Sequence, residues 1–289
     1  MTMRFSLLFL ILFALCQVKI GFAQKIFDTH LHGVQDISPQ LEKLIQAGVY
    51  KTAISSSWQL QQSYASSEQL TVLRGLILPC PGGKVPYSNQ FCFDSEEEFP
   101  DLAWVENQIQ SGQIDFIGEV LSQYYGISPS AEELYPYYEL AEKYGLPVGI
   151  HTGLAGPNNG SPNFKVSLGN PILMEDLLQK FPKLKVWIMH AGAPFLEDTM
   201  AIMAYYWNVY ADISVISDPN IFPPKDFYQI MKRLIDAGFE NRLMFGSDNG
   251  DLDQIIENFN SLDFLTPGQK EKILYKNAEK LFAKSQDPK

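Results

Sequence analysis

The stretch Phe27-Asp28-Thr29-His30-Leu31-His32 decides the architecture that we expect for this chain of 289 residues. It continues a short β-branched and aromatic run, 25–30, that predicts a β-strand. Residues two apart in a strand point to the same face, so Asp28, His30 and His32 are directed to one side. In a small barrel this shared side is the interior. The stretch therefore predicts polar side chains at the end of a buried strand.

The same organisation recurs along the chain. Between residues 25 and 248, runs that are typical of strands alternate with helical patterns, as in βα units around a parallel sheet. The predicted strands are 25–30, 50–55, 72–78, 114–120, 147–151, 184–190, 209–215 and 242–247. No composition shift or Ser/Gly linker divides the chain. Eight strands in about 225 residues predict an α/β fold, a single (β/α)8 TIM barrel over residues 24–289.

Helical patterns fill the intervals between the predicted strands. The first opens with Ser38 as N-cap and Pro39 at the first helical position, and the last opens with a capping box from Thr266 to Gln269. The predicted helices cover 38–45, 130–144, 171–180, 197–207, 224–237 and 266–281. The polar segment between strands two and three gives the weakest helical pattern. Two long loops, 79–99 and 154–169, follow strands, so we expect both on the barrel face where active sites form.

Residues 1–23 are typical of a secretory signal peptide. Arg4 precedes an apolar run over 5–15, and the small-residue site Gly21-Phe22-Ala23 predicts cleavage after Ala23. The alternative is an uncleaved membrane anchor, for which the run is short. We therefore expect an exported protein, periplasmic or secreted.

The composition excludes several classes of protein. With 46% hydrophobic and 13% aromatic residues, the chain is neither disordered nor a multi-span membrane protein. Its formal net charge of −11 repels phosphate backbones and anionic lipids. We expect a small-molecule substrate, no nucleic acid and no stable membrane insertion after signal cleavage, and leave a homo-oligomer open.

Two cysteines, Cys80 and Cys92, remain in the predicted mature chain. In an oxidising compartment they could close a disulfide across the first long loop. Two free thiols are the alternative, because the sequence does not fix the Cα separation that a bridge requires. Their spacing matches no common zinc motif.

All histidines of the chain fall at predicted strand ends. Two acidic residues occupy equivalent positions, which gives a set of six metal-competent side chains on five strands: His30, His32, Glu119, His151, His190 and Asp248. An isolated histidine at a strand end is usually a hydrogen-bonded structural residue. Six such groups cannot be buried in a barrel without strong compensation, which a divalent cation provides. Imidazole with carboxylate favours zinc, with iron or manganese as alternatives.

These residues resemble the amidohydrolase superfamily, especially its amidohydrolase-related branch of metal-dependent hydrolases and decarboxylases. The likeness rests on the 27–32 stretch, the two later histidines, Gly246-Ser247-Asp248 and the last helix, 273–282. It implies that His30, His32, His151 and Asp248 bind metal. His190 would bind a second metal or act as acid/base. Apart from the resemblance, Asp28 lies on the same strand face as His30 and His32, and we expect it to support the ligands from behind.

Glu119 leaves the number of ions open between one and two. The sequence Ile117-Gly118-Glu119 is similar to the glutamate motif of TatD-like deoxyribonucleases, whose carboxylate bridges two metals. Acidic charge and export argue against a nuclease. A strand-end glutamate could equally orient a ligand or bind substrate.

The first hypothesis for function is hydrolysis of a small ester, lactone, amide or related substrate by a metal-activated water, with Asp248 or His190 moving the proton. A second is non-oxidative decarboxylation of an aromatic or unsaturated acid. Such an acid needs a cationic anchor in the protein, and the predicted mature chain has only three arginines for this role: Arg74, Arg233 and Arg242. A third is a non-catalytic binding barrel. Aromatic residues expected at the mouth could stack on a ligand or pack their own loops: Trp58, Tyr87, Phe91, Phe93, Tyr124, Tyr125 and Phe164.

Overall fold

Eight strands form one parallel sheet in which each strand pairs with the next along the chain. The computed structural model describes residues 24–283, except 89, 94, 154, 155 and 157–159, so the predicted signal peptide lies outside the described residues. The strands are β1 Ile26–His32, β2 Val49–Ser55, β3 Thr71–Leu78, β4 Phe116–Val120, β5 Val148–Ile150, β6 Val186–Ile188, β7 Val209–Asp212 and β8 Leu243–Met244.

The sheet curls until its two edges meet. The backbone N–H of Thr29 in β1 donates to the Phe245 carbonyl at 3.0 Å, and the N–H of Asp248 donates to the His30 carbonyl at 2.8 Å. These bonds bring the end of β8 against β1 and nearly close the barrel. The predicted (β/α)8 barrel is therefore confirmed.

Strands β6 and β8 are shorter than predicted: β6 ends two residues before His190, and β8 ends four residues before Asp248. His190 has a φ angle of 61°, in the left-handed region where an extended ladder cannot continue, so the backbone turns away from the sheet where this side chain is presented. Asp248 is also left-handed, with a φ angle of 47°, but its N–H still bonds β1.

Helices cover the outside of the barrel. They are α1 Ile37–Gln46, α2 Trp58–Gln62, α3 Leu102–Gln110, α4 Ser122–Tyr125, α5 Tyr135–Tyr144, α6 Glu175–Lys180, α7 Leu196–Tyr205, α8 Pro224–Asp236, α9 Leu252–Asn260, α10 Pro267–Glu271 and α11 Asn277–Phe282. A π-helical turn, Lys272–Lys276, joins the last two. Over residues 24–283, apart from the gaps given above, we find no helix long and apolar enough to span a bilayer.

The helix starts show where capping was predicted well and where it was not. The capping box of Thr266 and Gln269 is present. The N-cap prediction for Ser38 is wrong, because α1 begins at Ile37 and Asp36 precedes it. Pro39 is tolerated inside the first turn because backbone N–H groups there have no helical acceptor to lose. The helices α3 and α9 were not predicted.

Aromatic side chains fill the lower end of the barrel, at the start of the strands. Phe282 of α11 packs against Phe27, Phe116 and Trp187, with ring centroids 5.2, 5.7 and 5.4 Å away. Each such ring contributes about 1.5–3 kcal/mol of burial. Gly149 leaves room for this cluster, because a Cβ there would lie 2.4 Å from Trp187. The lower end is thus solid core, and the polar strand ends face the opposite mouth.

Cys80 and Cys92 form a disulfide, with their Cα atoms 6.4 Å apart. The bond closes a loop directly after β3, and both cysteines are buried. Of the alternatives left open by the sequence, the structure has the disulfide. Such a cross-link typically stabilises a fold by about 2–4 kcal/mol.

Candidate metal centre

The six predicted ligands converge at the upper end of the barrel interior. His32 Nε2 lies 2.9 Å from Asp248 Oδ1 and 3.5 Å from Glu119 Oε2. His30 Nε2 and His190 Nε2 each lie 3.9 Å from Glu119 Oε1, and His151 Nδ1 lies 2.5 Å from the same oxygen. Side chains from β1 and β4 and from the segments after β5, β6 and β8 therefore meet around one carboxylate.

Three overlapping groups of these side chains could hold a metal ion. Within each group the ligand atoms lie within 4.8 Å of one another: His30, His190 and Asp248; His30, His32 and Glu119; and Glu119, His151 and His190. The groups share members, and Glu119 belongs to two of them. This arrangement is compatible with one ion or with two neighbouring ions.

Unpartnered atoms test whether a cation fits this place. The Nε2 atoms of His30, His151 and His190 and Oε2 of Glu119 are buried and have no hydrogen-bond partner among the described residues. A buried polar atom without a partner costs about 1–3 kcal/mol. A divalent ion would satisfy lone pairs on nitrogen and oxygen at once, so this donor set fits such an ion.

Two residues that were not predicted orient the histidines from behind. Asp212 Oδ2 lies 3.2 Å from His30 Nδ1, and Ser214 Oγ lies 2.9 Å from His190 Nδ1. The Ser214 hydroxyl donates to Asp212 Oδ1 at 2.5 Å, so it accepts from the histidine. In the neutral form of each imidazole we assign the proton to Nδ1, which directs the Nε2 lone pair into the centre.

Asp28 is hydrogen-bonded to both ends of the candidate centre. Its carboxylate accepts hydrogen bonds from the backbone N–H and hydroxyl of Ser247, at 3.0 and 2.5 Å, and from the N–H of His30 at 3.1 Å. It thus fixes the residue before Asp248 to β1. Burial raises the pKa of Asp28 to about 6, against the lowering effect of these hydrogen bonds.

The buried carboxylates give the centre a strongly negative potential. Burial alone would lower the pKa of His30, but Asp248, Asp212 and Glu119 outweigh it and raise the pKa to about 10. Burial would raise the pKa of Glu119, yet the histidines, led by His151, hold it well below its usual range. The centre thus attracts positive charge, whether a proton on His30 or a cation.

A cavity of about 380 Å³ opens onto these groups from the upper mouth. His32, Glu119, His151 and Asp248 line its floor. His30 and His190 are almost fully buried and lie outside this lining. The floor therefore presents two imidazoles and two carboxylates to a ligand.

The predicted mouth aromatics divide between ligand-facing and packing roles. Tyr87 and Tyr124 line the cavity. The others pack the surrounding loops or line adjacent surface pockets. Trp58 and Phe93 contact Trp104, Phe164 contacts Tyr124, Tyr125 donates to Glu98 at 2.8 Å, and Phe91 is 42% exposed.

None of the three arginines lies at the cavity. Arg74 donates to the Tyr64 carbonyl, Arg242 donates to two backbone carbonyls at the start of β7, and Arg233 pairs with Glu197 on the outer helices. Among the described residues that line the cavity there is also no lysine. The walls therefore offer neutral hydrogen-bonding groups and no fixed positive charge.

Solved structures of the same fold include enzymes with different reactions. An uncharacterized TIM-barrel protein from Bordetella bronchiseptica has a TM-score of 0.65 and 18% identity, with 89% of this chain and 98% of that chain covered. A 2,6-dihydroxybenzoate decarboxylase from Rhizobium has a TM-score of 0.60 and 13% identity, with 90% and 98% covered. A probable 2-pyrone-4,6-dicarboxylic acid hydrolase from Acinetobacter baumannii has a TM-score of 0.58 and 14% identity, with 90% of this chain and 99% of that chain covered. At these identities the likeness concerns the fold.

The sequence comparisons identify the family. The chain matches no curated protein. A family model described as amidohydrolase, however, matches residues 118–284, more than half of the chain, and its range includes four of the six converging side chains: Glu119, His151, His190 and Asp248. The chain therefore belongs to the amidohydrolase family.

Proposed function

We propose that this protein is a metal-dependent hydrolase that adds water to a small ester, lactone, amide or related substrate. One observation carries the proposal: three buried Nε2 atoms and a carboxylate oxygen converge below an open cavity without a hydrogen-bond partner among the described residues. A structural role for the histidines would leave these atoms paired with protein groups.

His30, His32, His151 and Asp248 would hold the ion, which we propose to be zinc. Glu119 and His190 would complete this site or hold a second ion. When bound, such an ion supplies Lewis acidity that lowers the pKa of a water molecule, from about 15.7 to about 7 in favourable sites, and polarises a substrate oxygen.

Asp248 is the better placed of the two candidate proton acceptors. It lines the cavity, whereas His190 does not. Burial would raise the pKa of Asp248, but His30 and His32 lower it to about 2, so its carboxylate is ionised at neutral pH. We propose that Asp248 takes the proton of the attacking water and returns it to the leaving group. His190, held by Ser214, would act as a ligand.

The test compares protein loaded with zinc, stripped by a chelator and reloaded, on a panel of lactones, esters and amides. We expect hydrolysis by the loaded forms and its loss on stripping. The His30→Ala, His32→Ala double variant should lose activity by at least about 100-fold, because removed ligands weaken ion binding. Full activity of this variant would show that the centre does not carry the reaction.

Decarboxylation is the second candidate, and the rings of Tyr87 and Tyr124 beside the centre favour it because they could stack on an aromatic acid. The lack of arginine and lysine among the described lining residues counts against it, since the substrate is an anion. Carbon dioxide release from aromatic acids distinguishes the two reactions. A non-catalytic barrel would instead purify without bound metal, and its thermal stability would not change when a chelator is added.

We also propose that the mature chain is exported after cleavage at Ala23 and acts on a small molecule. The disulfide supports this, because such bonds persist mainly in oxidising compartments. N-terminal sequencing of protein collected outside the cytoplasm should begin at Gln24. A protein that starts at Met1 would contradict the cleavage.

A further inference from the structure

The disulfide closes a loop, Cys80–Cys92, which is described except for residue 89 and which we call the disulfide loop. Within it the N–H of Val85 donates to the Gln90 carbonyl and the N–H of Cys92 donates to the Gly83 carbonyl, both at 3.0 Å. Cys80 follows β3, and the Cys92 carbonyl accepts from Trp58 N–H of α2 at 2.8 Å. Both ends of the loop are therefore fixed to the barrel.

The disulfide loop reaches over the metal centre. Four of its residues line the cavity beside the candidate ligands: Val85, Tyr87, Ser88 and Gln90. The Gln90 side chain is held by Ser57, whose hydroxyl lies 2.6 Å from Gln90 Oε1. No other described loop supplies as many lining residues.

Tyr87 is the residue of this loop that touches a candidate ligand. Its ring lies 4.4 Å from that of His32, and its hydroxyl lies 2.9 Å from His32 Nδ1. The Ser55 carbonyl, 3.0 Å from the same nitrogen, can only accept, so Nδ1 carries the proton. The Tyr87 oxygen is then a second acceptor, and the phenol hydrogen remains for a group in the cavity.

We propose that the disulfide loop is the substrate-recognition element of the centre, that Tyr87 donates a hydrogen bond to an uncharged oxygen of the substrate, and that the Cys80–Cys92 bond holds Tyr87 in position. This inference rests on the proposed hydrolase function. The other lining side chains of the disulfide loop, Val85, Ser88 and Gln90, are neutral, and the negatively charged groups of the cavity are the carboxylates of Glu119 and Asp248. A negatively charged substituent under the loop would meet no lysine or arginine among the described lining residues.

The test is a mutant cycle on the zinc-loaded full chain, with 4-nitrophenyl acetate as neutral probe and mono-4-nitrophenyl succinate as its anionic counterpart. Tyr87→Phe should lower kcat/KM for the neutral probe by roughly 3- to 10-fold, the worth of one neutral hydrogen bond. The Cys80→Ala, Cys92→Ala variant should lose a similar factor. Tyr125→Phe, whose hydroxyl bonds Glu98 away from the centre, is the matched control and should match the wild type.

The triple variant decides whether the bond acts through Tyr87. If it does, removing all three side chains costs little more than removing either part alone, and zinc content stays constant throughout. If the fold-losses of Tyr87→Phe and of the double cysteine variant multiply in the triple variant, the disulfide does not act through Tyr87. Wild-type preference for the succinate probe would overturn the recognition of an uncharged group.

Hydrogen exchange gives a result that does not depend on turnover. Peptides covering 83–92 should exchange at least about tenfold faster in the double cysteine variant and remain protected in Tyr87→Phe. Unchanged protection without the disulfide would overturn the positioning role. If the wild-type zinc protein hydrolyses neither probe nor the wider panel, the proposed function fails, and exchange still decides whether the bond orders the loop.

Discussion

Replacing Asp212 by asparagine should weaken ion binding without removing any residue that faces the ion. Asp212 Oδ1 accepts hydrogen bonds from His190 N–H, Ser214 N–H and the Ser214 hydroxyl at 3.0, 3.0 and 2.5 Å. Its Oδ2 lies 3.2 Å from both His30 Nδ1 and Trp187 Nε1. The carboxylate thus accepts from five donors, and an amide offers only one accepting oxygen.

The asparagine carbonyl should take the position with three donors, which turns the amide nitrogen toward His30 and Trp187. His30 must then move its proton to Nε2, and its lone pair no longer faces the ion. Removing this kind of support typically costs 10- to 100-fold in metal affinity, or about 1.4–2.7 kcal/mol. The buried N–H of Trp187 loses its acceptor, which should lower the free energy of unfolding by about 1–3 kcal/mol.

The assay is competition for zinc against a chelator of known affinity, together with thermal unfolding of the zinc-free and zinc-loaded forms. Asp218→Asn is a matched control. This residue is also a buried aspartate, but its side chain binds Asn220 and none of the histidines. We expect wild-type zinc affinity for the control. If Asp212→Asn folds and binds zinc as tightly as the wild type, Asp212 does not set the protonation of His30.

Three further predictions concern protons, stoichiometry and packing. Because the pKa of His30 is raised to about 10 without metal, zinc binding at pH 7.5 should release at least one proton. For each proton released, zinc affinity should fall about tenfold per pH unit as the pH decreases. Calorimetry in buffers of different ionisation enthalpy measures the number of protons, and a result of no proton release would refute the prediction. Glu119→Gln should lose a second metal equivalent if the centre is dinuclear, whereas a value near one in both proteins by elemental analysis indicates a single ion. Gly149→Ala should lower the free energy of unfolding by about 1–3 kcal/mol in urea titrations, because the added Cβ would overlap Trp187. The control is Gly268→Ala, which should be neutral or slightly stabilising because no atom lies within 4 Å of its added Cβ. Equal effects of the two substitutions would contradict the packing argument.

Strand-end chemistry was the most predictable part of the molecule. Parallel strands that alternate with helices place their carboxyl ends at one mouth, so the sequence alone groups His30, His151 and Asp248. The same rule was available for Asp212 and Ser214, which are two residues apart at the end of the seventh predicted strand. Neither residue belongs to a motif of the family that the chain resembles, so the pattern did not distinguish them from ordinary strand-end polar residues.

Other features depend on tertiary contacts that sequence patterns do not contain. Tyr87 is 55 positions from His32 and reaches it through a loop whose path is set by a disulfide. The starts of α3 and α9 were accessible in principle, since Asp101 and Asp251 cap them by accepting from Trp104 and Gln254 N–H. The left-handed backbone at His190 and Asp248 could not be foreseen, because neither residue type favours that conformation as glycine does.

The aromatic cluster around Phe282 has a kinetic consequence. In the part of the chain that the structure describes, Phe27, Phe116 and Trp187 close the barrel opposite the cavity, so the cavity is blind-ended. Under the proposed hydrolase function, a product would leave by the route along which the next substrate arrives. Products should therefore compete with substrate for free enzyme, and turnover should slow as they accumulate at constant substrate concentration.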